Sequence, residues 1–130
     1  MTRGKVVLVS FPFDDLATEK ARPAVCLTEA MTAHRHIVLA FVTSRPSEDP
    51  LDTDIALDPQ DPDFAGTGLQ VRTIRIHRLL TVSSRIIKRE LGSLSPRVQA
   101  RVADALRRLF VLEPSDIRVR PAGPDITSGA

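Results

Sequence analysis

The chain has 130 residues, of which 42% are hydrophobic and 26% charged, with a formal net charge of +2. That balance fits one globular domain, excludes a disordered polymer, and leaves no room for two full cores. Aromatic residues make up 4% of the chain and all are Phe, so no tyrosine or tryptophan platform exists for stacking a run of bases.

Cys26 is the single cysteine, which excludes an intrachain disulfide and any multi-cysteine metal site. Between Val25 and Leu27 it reads as a buried small hydrophobe. The opening residues lead into an apolar run far shorter than the roughly 20 residues needed to cross a bilayer, so the expected location is the cytoplasm. Charge is unevenly distributed. Residues 44–66 carry seven acidic side chains and one basic one, whereas residues 67–113 carry ten basic and three acidic ones. The basic stretch makes a nucleic-acid partner a hypothesis to test against the site.

In chain order, Val6 to Phe11 is rich in β-branched residues and reads as a strand, and Pro12 to Lys20 as a polar loop. A second strand follows from Arg22 to Thr28, with Pro23 suggesting an edge or entry position. His36 to Thr43 is a third, nearly continuous apolar strand, ended by Ser44, Arg45 and Pro46. Ser47 to Gly68 reads as an acidic, proline-rich loop holding one short strand, Thr53 to Leu57. Arg72 to Leu79 alternates, with Ile74 and Ile76 on one face and Thr73, Arg75 and His77 on the other, and a short strand at Leu80 to Val82 follows.

The period then changes. Ser84 to Leu91 reads as a short helix stopped by Gly92. Ser95 is an N-cap with Pro96 at the first helical position, and Val98, Val102, Ala105 and Leu109 define an apolar stripe that ends near Phe110 to Glu113. The tail beyond reads as disordered apart from a short strand at Ile117 to Val119. Short antiparallel strands and one long helix predict a mainly β fold, a small barrel or strongly bent sheet plugged by that helix.

The chain has no phosphate-binding glycine loop, no paired-histidine zinc signature and no Gly-x-Ser-x-Gly elbow. The carboxylates from Glu48 to Asp63 lack the spacing of a calcium loop and read as a solvated acidic segment, so neither metal nor other cofactor is expected. The polar groups at strand ends are the better constellation. Thr73, Arg75 and His77 project from one strand face, combining a permanent cation with a side chain that moves protons near neutral pH. Metal-free RNA cleavage needs little more: a base for the ribose 2′-hydroxyl, a cation for the charge at phosphorus, and an acid for the leaving oxygen. Arg22 and Thr43 join this set if their strands are neighbours; otherwise each has a plain role beside a turn.

The order Gly4-x-Val6-Val7-Leu8-Val9, Phe11-Pro12, Lys20-Ala21-Arg22-Pro23-Ala24-Val25-x-Leu27, Val42-Thr43-Ser44, Gly68-Leu69, Thr73 to Leu79 and Leu91-Gly92-x-Leu94-Ser95 resembles the MazF/PemK family of type II toxin-antitoxin ribonucleases over residues 3–112. The resemblance implies a small SH3-like antiparallel β-barrel of the CcdB/PemK type carrying a short helix and a C-terminal helix, in a toxin domain spanning residues 1–113 with 114–130 as an extension. It also implies a homodimer and an mRNA interferase that cuts single-stranded RNA sequence-selectively without metal, until an antitoxin occupies the RNA groove.

Arg22 matches the family's Arg-Pro arginine, which contacts the scissile phosphate and assists as an acid. Thr43 and Ser44 match its Thr-Ser pair, and Arg75 falls where some members have a catalytic arginine. His77 stands where some members have an aspartate base, and Glu19 matches a glutamate in the preceding loop, so the base is open between these two. Lys20, Arg72, Thr73 and Ser44 complete the expected RNA contacts. Two other classes stay open on the residues alone: a non-catalytic nucleic-acid-binding barrel using the arginines of residues 72–108, and a regulatory dimer that meets only a protein, with Leu79, Leu80 and Phe110 available for a dimer seam.

Overall fold

Alternate residues of the early strands serve two different cores. Val6, Val25, Ala40 and Val42 belong to one buried cluster, while Val7, Val9, Ala24, Cys26, Ile37 and Leu39 belong to another. Successive side chains of a strand point to opposite faces, so these strands form a sheet that is apolar on both sides. The computed structural model describes residues 2–11, 20–43, 49–69 and 73–112.

Six strands run β1 (Lys5–Phe11), β2 (Lys20–Cys26), β3 (His36–Thr43), β4 (Asp54–Ala56), β5 (Thr73–Ser83) and β6 (Ile87–Ser93). They form one antiparallel sheet in the order β4-β5-β3-β2-β1-β6. The mainly β, barrel-like architecture expected from the sequence is present, with the sheet left open between β4 and β6. A four-residue helix, α1 (Pro62–Ala65), and the long helix α2 (Pro96–Leu109) complete the fold. Residues 114–130, with the strand expected at Ile117 to Val119, lie outside the described residues. No helix among the described residues is long and apolar enough to cross a membrane.

Helix α2 forms as its sequence dictates. The Ser95 side chain accepts a hydrogen bond from the Val98 N–H, and Pro96 occupies the first turn. Val98, Val102 and Ala105 are buried against Val6, Val25, Ile74 and Ile76, closing the first cluster. Among the described residues the second cluster has no α-helix over it. Its outer members are Ile86 and Ile87, from a 3-10 turn at Ser84–Ile86 and the start of β6, with Leu80, Val82 and Phe41. Cys26 lies buried in this cluster; desolvation, followed by the carboxylates of Glu90 and Glu29, pushes its thiol up to about 11.

Three expectations need correction. Ser84 to Leu91 is not a helix: after the 3-10 turn the chain extends as β6 and pairs with β1, Leu8 opposite Arg89 and Val7 opposite Glu90. Pairing with β1 and burial of Ile86 and Ile87 override the local preference of Arg85 to Glu90 for helix. Of the two positions expected for Pro23, the edge is excluded, since β2 lies between β1 and β3, and the entry holds: the β2–β3 ladder begins at Ala24, just past the proline's missing N–H. The acidic segment holds α1, whose N-cap Asp61 accepts from the Asp63 N–H. That bond, supported by Arg97, holds the Asp61 carboxyl below its ordinary range.

Gly92 has a packing role instead of stopping a helix. A Cβ there would sit 2.6 Å and 2.7 Å from the carbonyl carbon and oxygen of Thr67, and would also strike the Gly66 carbonyl. Gly68, at φ 69°, approaches the Leu91 carbonyl equally closely, so backbone meets backbone where this loop crosses β6. Gly92→Ala is expected to destabilise the fold by roughly 2 kcal/mol, measured by chemical denaturation, whereas Ala100→Ser on the exposed side of α2 should change it little.

Candidate functional site at the helix-free sheet face

Register decides which polar groups share a face. On β3 and β5, Thr43 pairs with Thr73, Val42 with Ile74 and Phe41 with Arg75; β4 adds Ala56 opposite Thr73 and Asp54 opposite Arg75. On the other side, Ala24 of β2 pairs with Phe41 of β3. Counting that register on by two residues, past the interruption at Pro23, brings Arg22 level with Thr43, and Arg22 itself pairs with Val9 of β1. Two neighbouring rows therefore cross the sheet, one through Arg22, Thr43 and Thr73, the next through Ala24, Phe41, Arg75 and Asp54. Directly opposed side chains in such rows have Cβ atoms ~5 Å apart.

Both rows belong to the face of Val7, Val9, Ala24 and Phe41, the face without a helix. An apolar floor thus ends in a polar margin made by three strands. Arg22 is exposed, Thr43 and Thr73 are half-buried, and His77 is exposed two residues beyond Arg75. Arg22 and Thr43, which the sequence could join only on the condition that their strands were neighbours, do stand on adjacent strands in the sheet order. Lys20 opens β2 opposite Phe11 on the backbone. Glu19, Ser44 and Arg72 lie outside the described residues.

Arg75 is more constrained than a phosphate-seeking cation needs to be. Its Nε donates to Asp54 Oδ1 at 3.1 Å, with side-chain exposures of 16% for Arg75 and 10% for Asp54. An Nη of the same guanidinium donates to the Asp49 carbonyl at 3.3 Å, and Asp54 Oδ2 accepts from the Leu51 N–H at 3.0 Å. Asp54 is therefore no solvated loop residue. It fastens residues 49–54 to β5 and fixes where the arginine points.

Further along β5 the ladder slips: Ala40 pairs with Leu79 while the next residue, Phe41, pairs with Arg75. Ile76, His77 and Arg78 form a bulge, and the Arg78 guanidinium carbon lies over the Phe41 ring, 5.8 Å from its centroid. Sequence reasoning missed both Asp54 and Arg78, because a strand pairing and a register slip bring them to the site and no local pattern records either. Among the described residues no cluster of three or more His, Cys, Asp or Glu side chains could hold a metal ion.

Residues 2–110 match the family model of the PemK-like, MazF-like toxin of type II toxin-antitoxin systems. The chain belongs to this family. The sequence has no match among curated proteins. Among solved structures, the fold is similar to an endoribonuclease from a mycobacterial species in complex with its cognate antitoxin, at a TM-score of 0.66 and 18% identity, covering 87% of this chain and 97% of that one. It is also similar to MazF in the MazE-MazF structure from Deinococcus radiodurans, at 0.65 and 21% identity over 87% of this chain and 98% of that one. The Mycobacterium tuberculosis toxin MazF-mt6 matches at 0.61 and 20% identity over 84% and 98%. At these identities the likeness establishes the shared fold of this PemK-like chain.

The Arg75–Asp54 pair can be tested without assaying any activity. Asp54→Ala leaves a half-buried guanidinium without its carboxylate and is expected to cost about 3 kcal/mol of stability. The Asp54→Ala/Arg75→Met double variant should recover part of that loss in a double-mutant cycle read by denaturant unfolding.

Proposed function

We propose that this PemK-like chain is a metal-independent endoribonuclease, the toxin of a toxin-antitoxin pair, cleaving single-stranded RNA sequence-selectively in the cytoplasm. The observation that carries the reading is the assembly of Arg22, Thr43, Thr73 and Arg75 from three strands at one end of the helix-free sheet face. Family membership supports it, as do the solved endoribonucleases that share the fold.

In this mechanism the ribose 2′-hydroxyl attacks the adjacent phosphorus, the P–O5′ bond breaks, and the products are a 2′,3′-cyclic phosphate and a free 5′-hydroxyl. Arg22, exposed at the margin, neutralises charge on the phosphorane. The Thr43 hydroxyl holds a non-bridging oxygen. Arg75 adds positive potential from a position fixed by Asp54. The base that takes the 2′-proton is His77 or Glu19; Arg22, in its proposed role as acid, gives a proton of its own to the leaving 5′-oxygen, and after product release the base loses its proton to solvent and Arg22 regains one from it. Water-mediated hydrolysis of the cyclic phosphate is not required. The protein is proposed to act as a homodimer, with an antitoxin as the partner that blocks RNA entry.

Among the described residues, three arginines of the 72–108 stretch are held in ion pairs. Arg75 is paired with Asp54, Arg97 with Asp61 and Asp63, and Arg108 with Asp104, which favours a localised site over a non-catalytic binding surface. The test is incubation of the purified protein with a long, weakly structured RNA in EDTA, with mapping of product ends. Recurrent cuts at one short motif with cyclic phosphate ends are expected, and Arg22→Ala and Thr43→Ala should each reduce cleavage by roughly 100-fold or more. Wild-type rates in both variants would show that the chemistry lies elsewhere.

A further inference from the structure

The bulge in β5 does more than lengthen a strand. With Ala40 opposite Leu79 and Phe41 opposite Arg75, Ile76, His77 and Arg78 are left out of the ladder with β3. Ile76 is fully buried in the helix-side core, and this anchor leaves His77 and Arg78 exposed at the surface. Bulges of this kind re-aim side chains, here bringing Arg78 back over Phe41. Phe41 lies between Ala24 and Arg75 in its row and two residues from Thr43, a separation of roughly 7 Å along a strand. Arg78 is thereby a third arginine on the face that holds Arg22 and Arg75.

The two β5 arginines differ in what they are free to do. Arg75 spends its guanidinium on Asp54 and the Asp49 carbonyl. Arg78 makes no ion pair or hydrogen bond among the described residues, and its contact with Phe41 uses the ring face and consumes none of its five N–H donors. No carboxylate of the described residues has to be displaced before it meets an anion, and the ring limits the positions that a long side chain would otherwise sample. We infer that Arg78 is a substrate-binding residue whose guanidinium grips an RNA backbone phosphate next to the one cleaved.

This inference rests on the endoribonuclease reading above. Guanidinium geometry suits two parallel hydrogen bonds to a phosphate, and the one-row offset from Thr43 is comparable with the spacing of neighbouring phosphates along an extended single strand. A backbone contact of this kind adds affinity and salt dependence and leaves the choice of sequence to other groups.

The test compares wild type with Arg78→Met, which keeps an apolar cover on Phe41, and Arg78→Lys, which keeps the charge. Steady-state cleavage is measured across a salt series, together with binding of the same RNA carrying 2′-deoxyribose at the cut site, which cannot be cleaved. Arg78→Met is expected to raise KM and the Kd for the uncleavable RNA roughly tenfold, and to flatten the log–log salt slope by about 0.7. Arg78→Lys should restore the slope. Wild-type KM, Kd and slope in Arg78→Met would overturn the inference, as would a loss confined to kcat, or a fall in melting temperature with the slope intact. If the wild type neither cuts the RNA nor binds its uncleavable form, the endoribonuclease reading fails and takes this inference with it. If the wild type does both and Arg78→Met matches it, only the inference fails.

Discussion

The register of β3 is the constraint on which the site depends. Ala40 and Val42 enter the helix-side core while Ile37, Leu39 and Phe41 enter the other, so the strand packs two cores along one unbroken alternation. A slip by one residue would exchange the two sets and place Thr43 on the wrong face. Because β3 cannot yield, its longer neighbour does: β5 takes up the mismatch at Ile76 to Arg78. The alignment of Thr43 with Thr73 and the outward turn of His77 and Arg78 are thus two results of one packing requirement.

The separation of charge along the chain is partly offset in space. The acidic stretch folds against the arginines that follow it: Asp54 meets Arg75, Asp61 and Asp63 meet Arg97, and the Ala56 carbonyl accepts from Arg101 at 3.4 Å. Asp61 and Asp63 raise the Arg97 guanidinium further above its already high range, so it stays charged throughout the working pH. Counting charges by segment therefore overstates the field available to a polyanion, and the cations that matter are those at the margin of the helix-free face. Salt bridges as exposed as that of Arg97 contribute little to stability; their effect here is to hold the 57–69 segment near the start of α2.

Strands with clean alternation were legible in the sequence, as was α2, whose cap, proline and apolar stripe all point to one element. Ser84 to Leu91 was not, because its fate depends on a non-local partner, β1, that no window of neighbouring residues contains. At the site, Arg22, Thr43 and Arg75 could be named from the family motifs and the need for cations at strand ends, while their assembly rested on strand order. Asp54 looked like one carboxylate among seven, and only the β4–β5 ladder distinguishes it. Of the residues offered for a dimer seam, Leu79 and Leu80 are partly buried against the two cores and Phe110 is exposed at the end of α2.

Leaving the sheet open has a cost that a closed barrel avoids, since both outer strands keep one row of backbone donors and acceptors unpaired by the sheet. β4 limits this liability by being only three residues long. β6 is longer, and its middle residues Lys88, Arg89 and Glu90 are all exposed. Consecutive charged side chains along an edge disfavour the docking of another strand, so fibre-like growth through β6 is suppressed.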